Sequence, residues 1–475
     1  MSHAVPPVLV GRTDFPLHPS APSVFCLSLP EPTTSQTFEL LDGPPYANGP
    51  IHLGHAYNKH LKDLLARARA AQGARVSWRP GWDCHGLPVE LCVEREGGNR
   101  HEPLAFVPQA RAYAARQVAL QKTAFQALGV CADWAHPYLT MDPAHQAGTL
   151  RVFAELLERG RVGVRHRPVP WCAACRSTLA VAEQEEKSTM LDAALAPFVL
   201  DEGDVLVAWT TTPWTLPYHA GLAVHPKARY RRWVADGRPG LWAADEASAR
   251  VKTWWPDATP TDTVVDGTQL SGKPYTGPCG VRGSVVAHAR VAPGGGTGVL
   301  HAVPAFSVED AALGRTHGWD TVDVLAPDGR LTGPAWAGHH GLKAGAEASA
   351  PVLEALTGAP WFRALRETHT VAACWRHKAP LLTRPSRQVY LALDAVREHA
   401  LRSLDAVAFE PASARGRLRH AVETRPDWCL SRQRLWGVPM ALYLDRTTGQ
   451  PCPNAAKVAR RVADAVEREG GEAWW

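Results

Sequence analysis

The sequence predicts an α/β unit interrupted by a β-rich insertion, and three observations carry that reading. A short run, Phe38-Glu39-Leu40-Leu41, leads through a Pro/Gly loop into a helical pattern over 53–72 that ends at Gly73. After Lys187 the pattern changes to short β-like runs separated by Gly and Pro. From Val371 to Met440 helical spacing returns. The 475 residues suffice for two or three domains, each with its own core.

In chain order, the first section predicts a strand over Thr37–Leu41, a helix over Leu53–Gln72 and a second strand over Arg75–Trp78. Helices follow over Tyr113–Leu128 and Ala147–Leu157, the latter stopped by Gly160. The insertion predicts strands over Val205–Trp209, Gly221–Val224, Arg229–Val234, Ser284–Val291 and Thr297–Val303. The final section predicts helices over Leu391–Leu404 and Ala414–Thr424. Domains are therefore expected at 1–187, 188–370 and 371–475.

Composition excludes several classes. Apolar residues make up 45% and charged residues 20%, as in an ordinary globular protein. No apolar run reaches the roughly 20 residues that span a bilayer, so no membrane partner is expected. Met1–Pro22 lacks a basic segment followed by an apolar one and does not read as a signal peptide, which makes the cytoplasm the expected compartment. Ten cysteines in so long a chain do not form a secreted disulfide framework. A net charge of +5 is compatible with an RNA partner without requiring one.

The segment Asp42-Gly-Pro-Pro-Tyr-Ala-Asn-Gly-Pro-Ile-His-Leu-Gly-His55 is the richest in chemistry. It places His52 and His55 in the first turn of a helix, where free N–H groups and the helix dipole attract anions. Gly54 leaves room for a flat base or ribose against the backbone. Two histidines on a plain surface loop are the alternative. This segment, together with Pro80-Gly-Trp-Asp-Cys-His-Gly-Leu-Pro88, closely resembles the class I aminoacyl-tRNA synthetases, and within them the isoleucyl enzymes.

The resemblance runs from Phe15 to Trp475 and implies a Rossmann-like nucleotide-binding fold, incomplete here, with an inserted editing domain. It implies ATP with Mg2+, isoleucine and tRNA(Ile) as substrates and partners, a monomeric chain, and catalysis by electrostatic stabilisation of the phosphates by His52 and His55. Pro44, Pro45 and Tyr46 would border the amino-acid pocket, and Asp83 would take the substrate ammonium, a loop cap being the alternative. Trp428–Arg434 and Trp436–Pro439 match a further family motif, whose basic side chains would shape the active-site floor or meet RNA phosphates, a structural helix-to-strand connection being the alternative.

Relatives also carry Lys-Met-Ser-Lys-Ser, whose lysine neutralises the departing pyrophosphate; these 475 residues contain no such segment. Impaired activation by the chain alone is the expectation, with a second polypeptide completing the catalytic domain as a further expected partner.

In the insertion, Trp209-Thr-Thr-Thr-Pro-Trp-Thr-Leu-Pro217 and Gly296–His301 resemble the site that hydrolyses mischarged valine. Thr210, Thr211, Thr212, His301 and Asp310 are its candidate residues; Asp310 would hold the α-amino group, while a β-edge of paired hydroxyls is the alternative for the threonines. Relatives have a polar turn after Pro304, where this chain has Ala305-Phe306-Ser307, so altered editing is expected. A freestanding deacylase of Val-tRNA(Ile) and a non-catalytic tRNA-binding paralogue are the competing readings.

Finally, Cys172-Ala-Ala-Cys175 and Cys374-Trp-Arg-His377 have metal-ligand spacing and together suit a tetrahedral Zn2+ site; buried structural thiols are the alternative.

Overall fold

The structure, a computed structural model, describes residues 29–333, 336, 338–425 and 427–475. The stretch Met1–Pro22, read above for targeting, lies outside them. Contacts divide the chain into two compact units, one formed by the residues up to Arg161 with Arg434–Trp475, the other by Val162–Gln433.

In the first unit, β1 (Thr37–Glu39) leads to α1 (Leu53–Ala71) and returns as β2 (Arg75–Ser77), which pairs parallel with β1. This is the crossover that parallel strands require. The helix ends where Gly73 takes φ 88°, a left-handed conformation that favours glycine. Then come β3 (Gly81–Trp82), α2 (Leu87–Arg95), α3 (Pro103–Ala127), β4 (Tyr138–Leu139) and α4 (Pro143–Glu158), with β4 parallel to β3. Trp82, Val89, Phe106, Tyr113, Val118 and Phe125 fill the core between them.

The helix α3 starts ten residues before the Tyr113 expected from sequence. Pro103 suits its first turn, and Pro108 is accommodated near the start while Phe106, Val107 and Ala110 are buried. On α4, Ala147, Leu150 and Ala154 are buried, and the C-terminal helix Ala455–Glu469 buries Ala455, Ala459, Ala463 and Val466. These small residues allow the two helices to pack together, and Arg151 pairs with Glu467 at 2.6 Å along the rim.

The second unit opens with β5 (Val162–Cys172) and β6 (Ser177–Thr178), then β7 (Gln184–Leu200), β8 (Val205–Thr210), β9 (Gly221–Val224), β10 (Arg229–Val234) and β11 (Leu241–Ala244). Helix α5 (Ser248–Trp254), β12 (Thr259–Asp266), α6 (Gly267–Leu270), β13 (Pro274–Thr276), β14 (Arg282–Ala287) and β15 (Val299–Ala302) follow. The chain continues through α7 (Val308–His317), α8 (Ala346–Ala355), β16 (Arg363–Cys374), β17 (Leu382–Leu391), α9 (Asp394–Asp405), α10 (Ala414–Thr424) and β18 (Trp428–Cys429).

Ten strands form the main sheet, in the order β12-β10-β11-β8-β7-β13-β14-β9-β15, with β16 also on β7. Successive residues of β8 enter different cores: Leu206 and Ala208 pack with Phe198, Tyr230 and Tyr275, Val205 and Val207 with Trp233, Trp255 and Trp361. Both faces are covered, which is why this strand reads as an unbroken apolar run. Two strands are shorter than the sequence suggested. β14 ends at Ala287, where a turn brings Val291 N to His288 O, and β15 begins only after Gly298, whose φ is 82°. Among the described residues no helix is long and apolar enough to cross a membrane.

Candidate functional site

In the first unit the two histidines cap α1 reciprocally. Gly54 N donates to His52 Nδ1 at 3.1 Å, and His52 N donates to His55 Nδ1 at 3.3 Å. The rings stack with centroids 3.8 Å apart. Each Nδ1 is thus an acceptor, which leaves the proton of each neutral ring on Nε2. Burial, then His52, then Lys59 hold the His55 imidazole below its ordinary range, favouring the neutral form. The arrangement offers two N–H donors at the positive end of a helix dipole, a site suited to phosphate oxygens. A Cβ at Gly54 would lie 3.0 Å from the His52 ring. A side chain at position 54 would therefore crowd the His52 imidazole.

Two loops pair in the same unit. Asp83 N donates to Pro45 O and Ala47 N to Asp83 O, both at 2.9 Å, so Asp83 is bridged to Tyr46. Pro45 is buried, Pro44 half-buried and Tyr46 exposed, while the Asp83 carboxyl is raised above its usual range by burial. Burial outweighs the His85 N–H bond and the nearby His145, which act in the opposite direction.

The return segment braces this loop. Glu90, buried, accepts from Leu435 N (2.8 Å), Trp436 N (2.9 Å) and Arg434 Nη1 (3.2 Å). Trp436 Nε1 donates to Cys84 O, and His85, its pKa lowered to about 4 by burial and then by Arg111, stands edge-on to the Trp436 ring at 4.9 Å. Sequence reading offered RNA contact as one role for the basic residues of this motif; Arg434 instead turns inward to Glu90. Nothing local in the sequence marks Glu90, because its partners lie more than 340 residues away.

In the second unit the threonines at the end of β8 form a hydroxyl ladder. Thr212 N donates to Thr210 Oγ1 at 3.1 Å, Thr210 and Thr212 hydroxyls are 3.3 Å apart, and Thr212 and Thr215 hydroxyls 3.4 Å. Thr211 is half-buried at the bend. Trp214 and Tyr218, which follow, pack on Phe306 at 4.7 and 5.8 Å between ring centroids. Phe306 therefore belongs to an aromatic core that also holds Val303 and Ala305. The same turn carries Asp310, whose Oδ2 accepts from Val303 N at 2.9 Å and whose N donates to Ser307 Oγ at 3.1 Å. Burial raises its carboxyl. Phe306 thus connects the threonine loop to the Asp310 turn.

His301 is placed differently, inside the sheet's core, with its ring stacked on His219 at 4.9 Å. His219 Nε2 meets Tyr275 OH at 2.6 Å, while His219 Nδ1 and His301 Nε2 have no partner among the described residues. Burial pushes His301 down to about 3 and His219 well below the usual value of 6.5. Both rings stay neutral in the fold but protonate in the unfolded chain as pH falls below 6.5, so stability is lost on acidification. The expected loss is about 2–3 kcal/mol per imidazole between about pH 6.5 and 4.5. Urea melts of wild type and His301→Leu over that range measure it; the variant should show the shallower dependence, and equal slopes would contradict the assignment.

Cys172, Cys175, Cys374 and His377 bring their ligand atoms within 4.8 Å of one another. Cys175 Sγ lies 3.8 Å from Cys374 Sγ and 3.2 Å from His377 Nδ1. Zinc–sulfur bonds of about 2.3 Å put tetrahedral sulfur pairs about 3.8 Å apart, so the donor set fits Zn2+. Each pair ends in a residue of left-handed conformation, Arg176 at φ 51° and Lys378 at φ 54°, giving two matching knuckles. Four buried or half-buried protein ligands suit a closed, structural site.

A profile of the tRNA synthetases class I (I, L, M and V) matches residues 22–475. An isoleucine–tRNA ligase of Alkalilimnicola ehrlichii is 38% identical over 92% of this chain and 49% of its own length. One from Bordetella petrii is 37% identical over 92% of this chain and 50% of its own. The chain thus spans about half the length of the curated relatives it matches. A solved Agrobacterium radiobacter LeuRS in complex with tRNA and LeuAMS aligns with 91% of this chain and 50% of that one, at 15% identity and a TM-score of 0.36.

Proposed function

The chain belongs to the class I tRNA synthetases of the isoleucine, leucine, methionine and valine group, and on that premise we propose that it carries the activation and editing chemistry of an isoleucine–tRNA ligase. The observation that carries the activation half is the reciprocal His52–His55 cap, which engages both Nδ1 atoms and turns the Nε2–H of each neutral ring into the donor for phosphate. ATP with Mg2+ would lie with its phosphates at this cap as the isoleucine carboxylate attacks the α-phosphorus and pyrophosphate leaves. The two imidazoles stabilise charge on the phosphate oxygens, and Asp83 holds the amino-acid ammonium. The product is transferred to tRNA(Ile). Identity of 37–38% to isoleucine–tRNA ligases supports isoleucine as the amino acid.

A pocket for isoleucine cannot exclude valine, because one methylene supplies only about 1–3 kcal/mol of discrimination, a limit for which the isoleucyl enzyme is the standard illustration. The second unit supplies the hydrolytic sieve. Asp310 holds the α-ammonium of the misplaced valyl group, and the Thr210–Thr212 hydroxyls position the ester and the attacking water. Zn2+ on Cys172, Cys175, Cys374 and His377 would supply a cross-link that fixes the two knuckles.

The outward face of α1 supports completion of the nucleotide fold by further polypeptide. Leu53, Tyr57, Leu61 and Leu64 are 84, 65, 50 and 64% exposed, whereas Lys59 and Asp63 are buried. A helix with its apolar stripe outward has that face covered in the working assembly.

Isoleucine-dependent pyrophosphate exchange and hydrolysis of Val-tRNA(Ile), assayed side by side, test the proposal. Hydrolysis without exchange favours a freestanding deacylase; neither activity, with tRNA still bound, favours a non-catalytic paralogue.

A further inference from the structure

We propose that Asp42, Lys59 and Lys62 form a buried positioning hub that fixes the His52–His55 pair relative to β3 and the Asp83 that follows it, so that both ends of the substrate site are held as one body. The inference rests on the reading of those two ends as a single site.

The hub is built around one carboxylate. The Asp42 side chain is fully buried, and it accepts from Lys59 Nζ, from Lys62 Nζ at 2.7 Å and from Gly81 N at 3.1 Å. Its backbone oxygen accepts from Tyr138 OH at 3.1 Å. One residue thus joins the helix that carries the histidines, the strand that leads into Asp83, and β4. Gly81 permits the approach, because a Cβ there would lie 2.0 Å from the Tyr138 ring.

Lys59 projects from the inward face of α1, one turn beyond His55, with Nζ 5.3 Å from the Phe125 ring centroid and 6.0 Å from that of Trp78. An ammonium so enclosed is tolerated only with its charge partner in place. A stability role alone would be met by an apolar residue of the same volume. The charge does more here: after burial and His52, it acts in the same direction on His55, toward the neutral imidazole that donates from Nε2. The polar residues occupy the inward face of α1 because that is where they connect the two ends of the site.

The test is histidine-labelled NMR titration and amide exchange on the 475-residue protein as wild type, Lys59→Met and Lys59→Arg. Lys59→Met should raise the His55 titration midpoint and speed Gly81 amide exchange by at least about 10-fold. Lys59→Arg should retain the low midpoint. A His55 midpoint equal in the Met and Arg variants, or an unchanged Gly81 amide, overturns the proposal. A structural ion pair alone would not move the His55 titration in step with charge. Should Lys59→Met fail to fold, Lys62→Met removes the less buried ammonium and carries the Gly81 exchange test in the same direction. Neither readout uses a substrate, so a protein that passes both yet neither activates nor hydrolyses overturns the functional reading and not the hub.

Discussion

Asp310→Asn should slow hydrolysis of the valyl ester on tRNA(Ile) by about 30- to 1000-fold, the equivalent of about 2–4 kcal/mol. Asp310 stands in the first turn of α7, where Ser307 Oγ accepts from its N–H and its Oδ2 accepts from Val303 N. The turn holds the carboxylate through Val303 N and Ser307, and in the proposed site the same carboxylate receives the α-ammonium. Burial raises this carboxyl, so the fold is slightly destabilised by the anion at neutral pH and an arriving cation stabilises it. Asparagine preserves an acceptor for Val303 N while removing the charge, so thermal unfolding should hold steady as hydrolysis falls. Single-turnover deacylation measures the effect. A variant as fast as wild type would remove Asp310 from the site.

The second large effect concerns the metal. Protein purified without chelator should carry one zinc per chain, and stripping it should destabilise the second unit by several kcal/mol, below the roughly 10–16 kcal/mol seen when zinc alone folds a small finger. The reason is the distance in sequence between the ligand pairs: Cys172 and Cys175 lie in the turn from β5 to β6, Cys374 and His377 in the turn from β16 to β17. One ion closes a loop of about two hundred residues, and longer loops gain more from a cross-link. Cys175→Ser should lose the metal and reproduce the melting curve of chelated wild type. Well under one zinc per chain, or a melt indifferent to chelator, would return these residues to the role of buried thiols.

Much of the site was legible because it is local. His52 and His55 sit three residues apart after a Pro/Gly loop, and the helix they cap runs to Ala71, within one residue of its expected end. The threonine run could be read for the same reason. Gly54 was legible as a close-approach position, and a Cβ there would crowd the His52 ring. The long strand β16, Arg-Ala-Leu-Arg-Glu-Thr-His-Thr-Val-Ala-Ala-Cys, could not be read because its exposed residues are charged and its partner β7 lies far back in the chain. Glu90 and the Asp42–Lys59–Lys62 cluster escaped for a related reason. A buried charge looks like any surface charge until the fold supplies its counter-ion. The place of His301, opposite Leu222 on β9 and beside His219 in the core, could not be read from its local sequence.

The proposed activation of isoleucine and hydrolysis of valine's ester meet in one assay. The most direct measurement is single-turnover hydrolysis of Val-tRNA(Ile) against Ile-tRNA(Ile) by the 475-residue protein, with isoleucine-dependent pyrophosphate exchange followed in parallel. Val-tRNA(Ile) should be hydrolysed at least about 10-fold faster than Ile-tRNA(Ile), as a sieve that separates one methylene requires, and exchange, weak in these 475 residues alone, should still prefer isoleucine over valine. Equal hydrolysis of the two esters, or hydrolysis of neither, would contradict this reading.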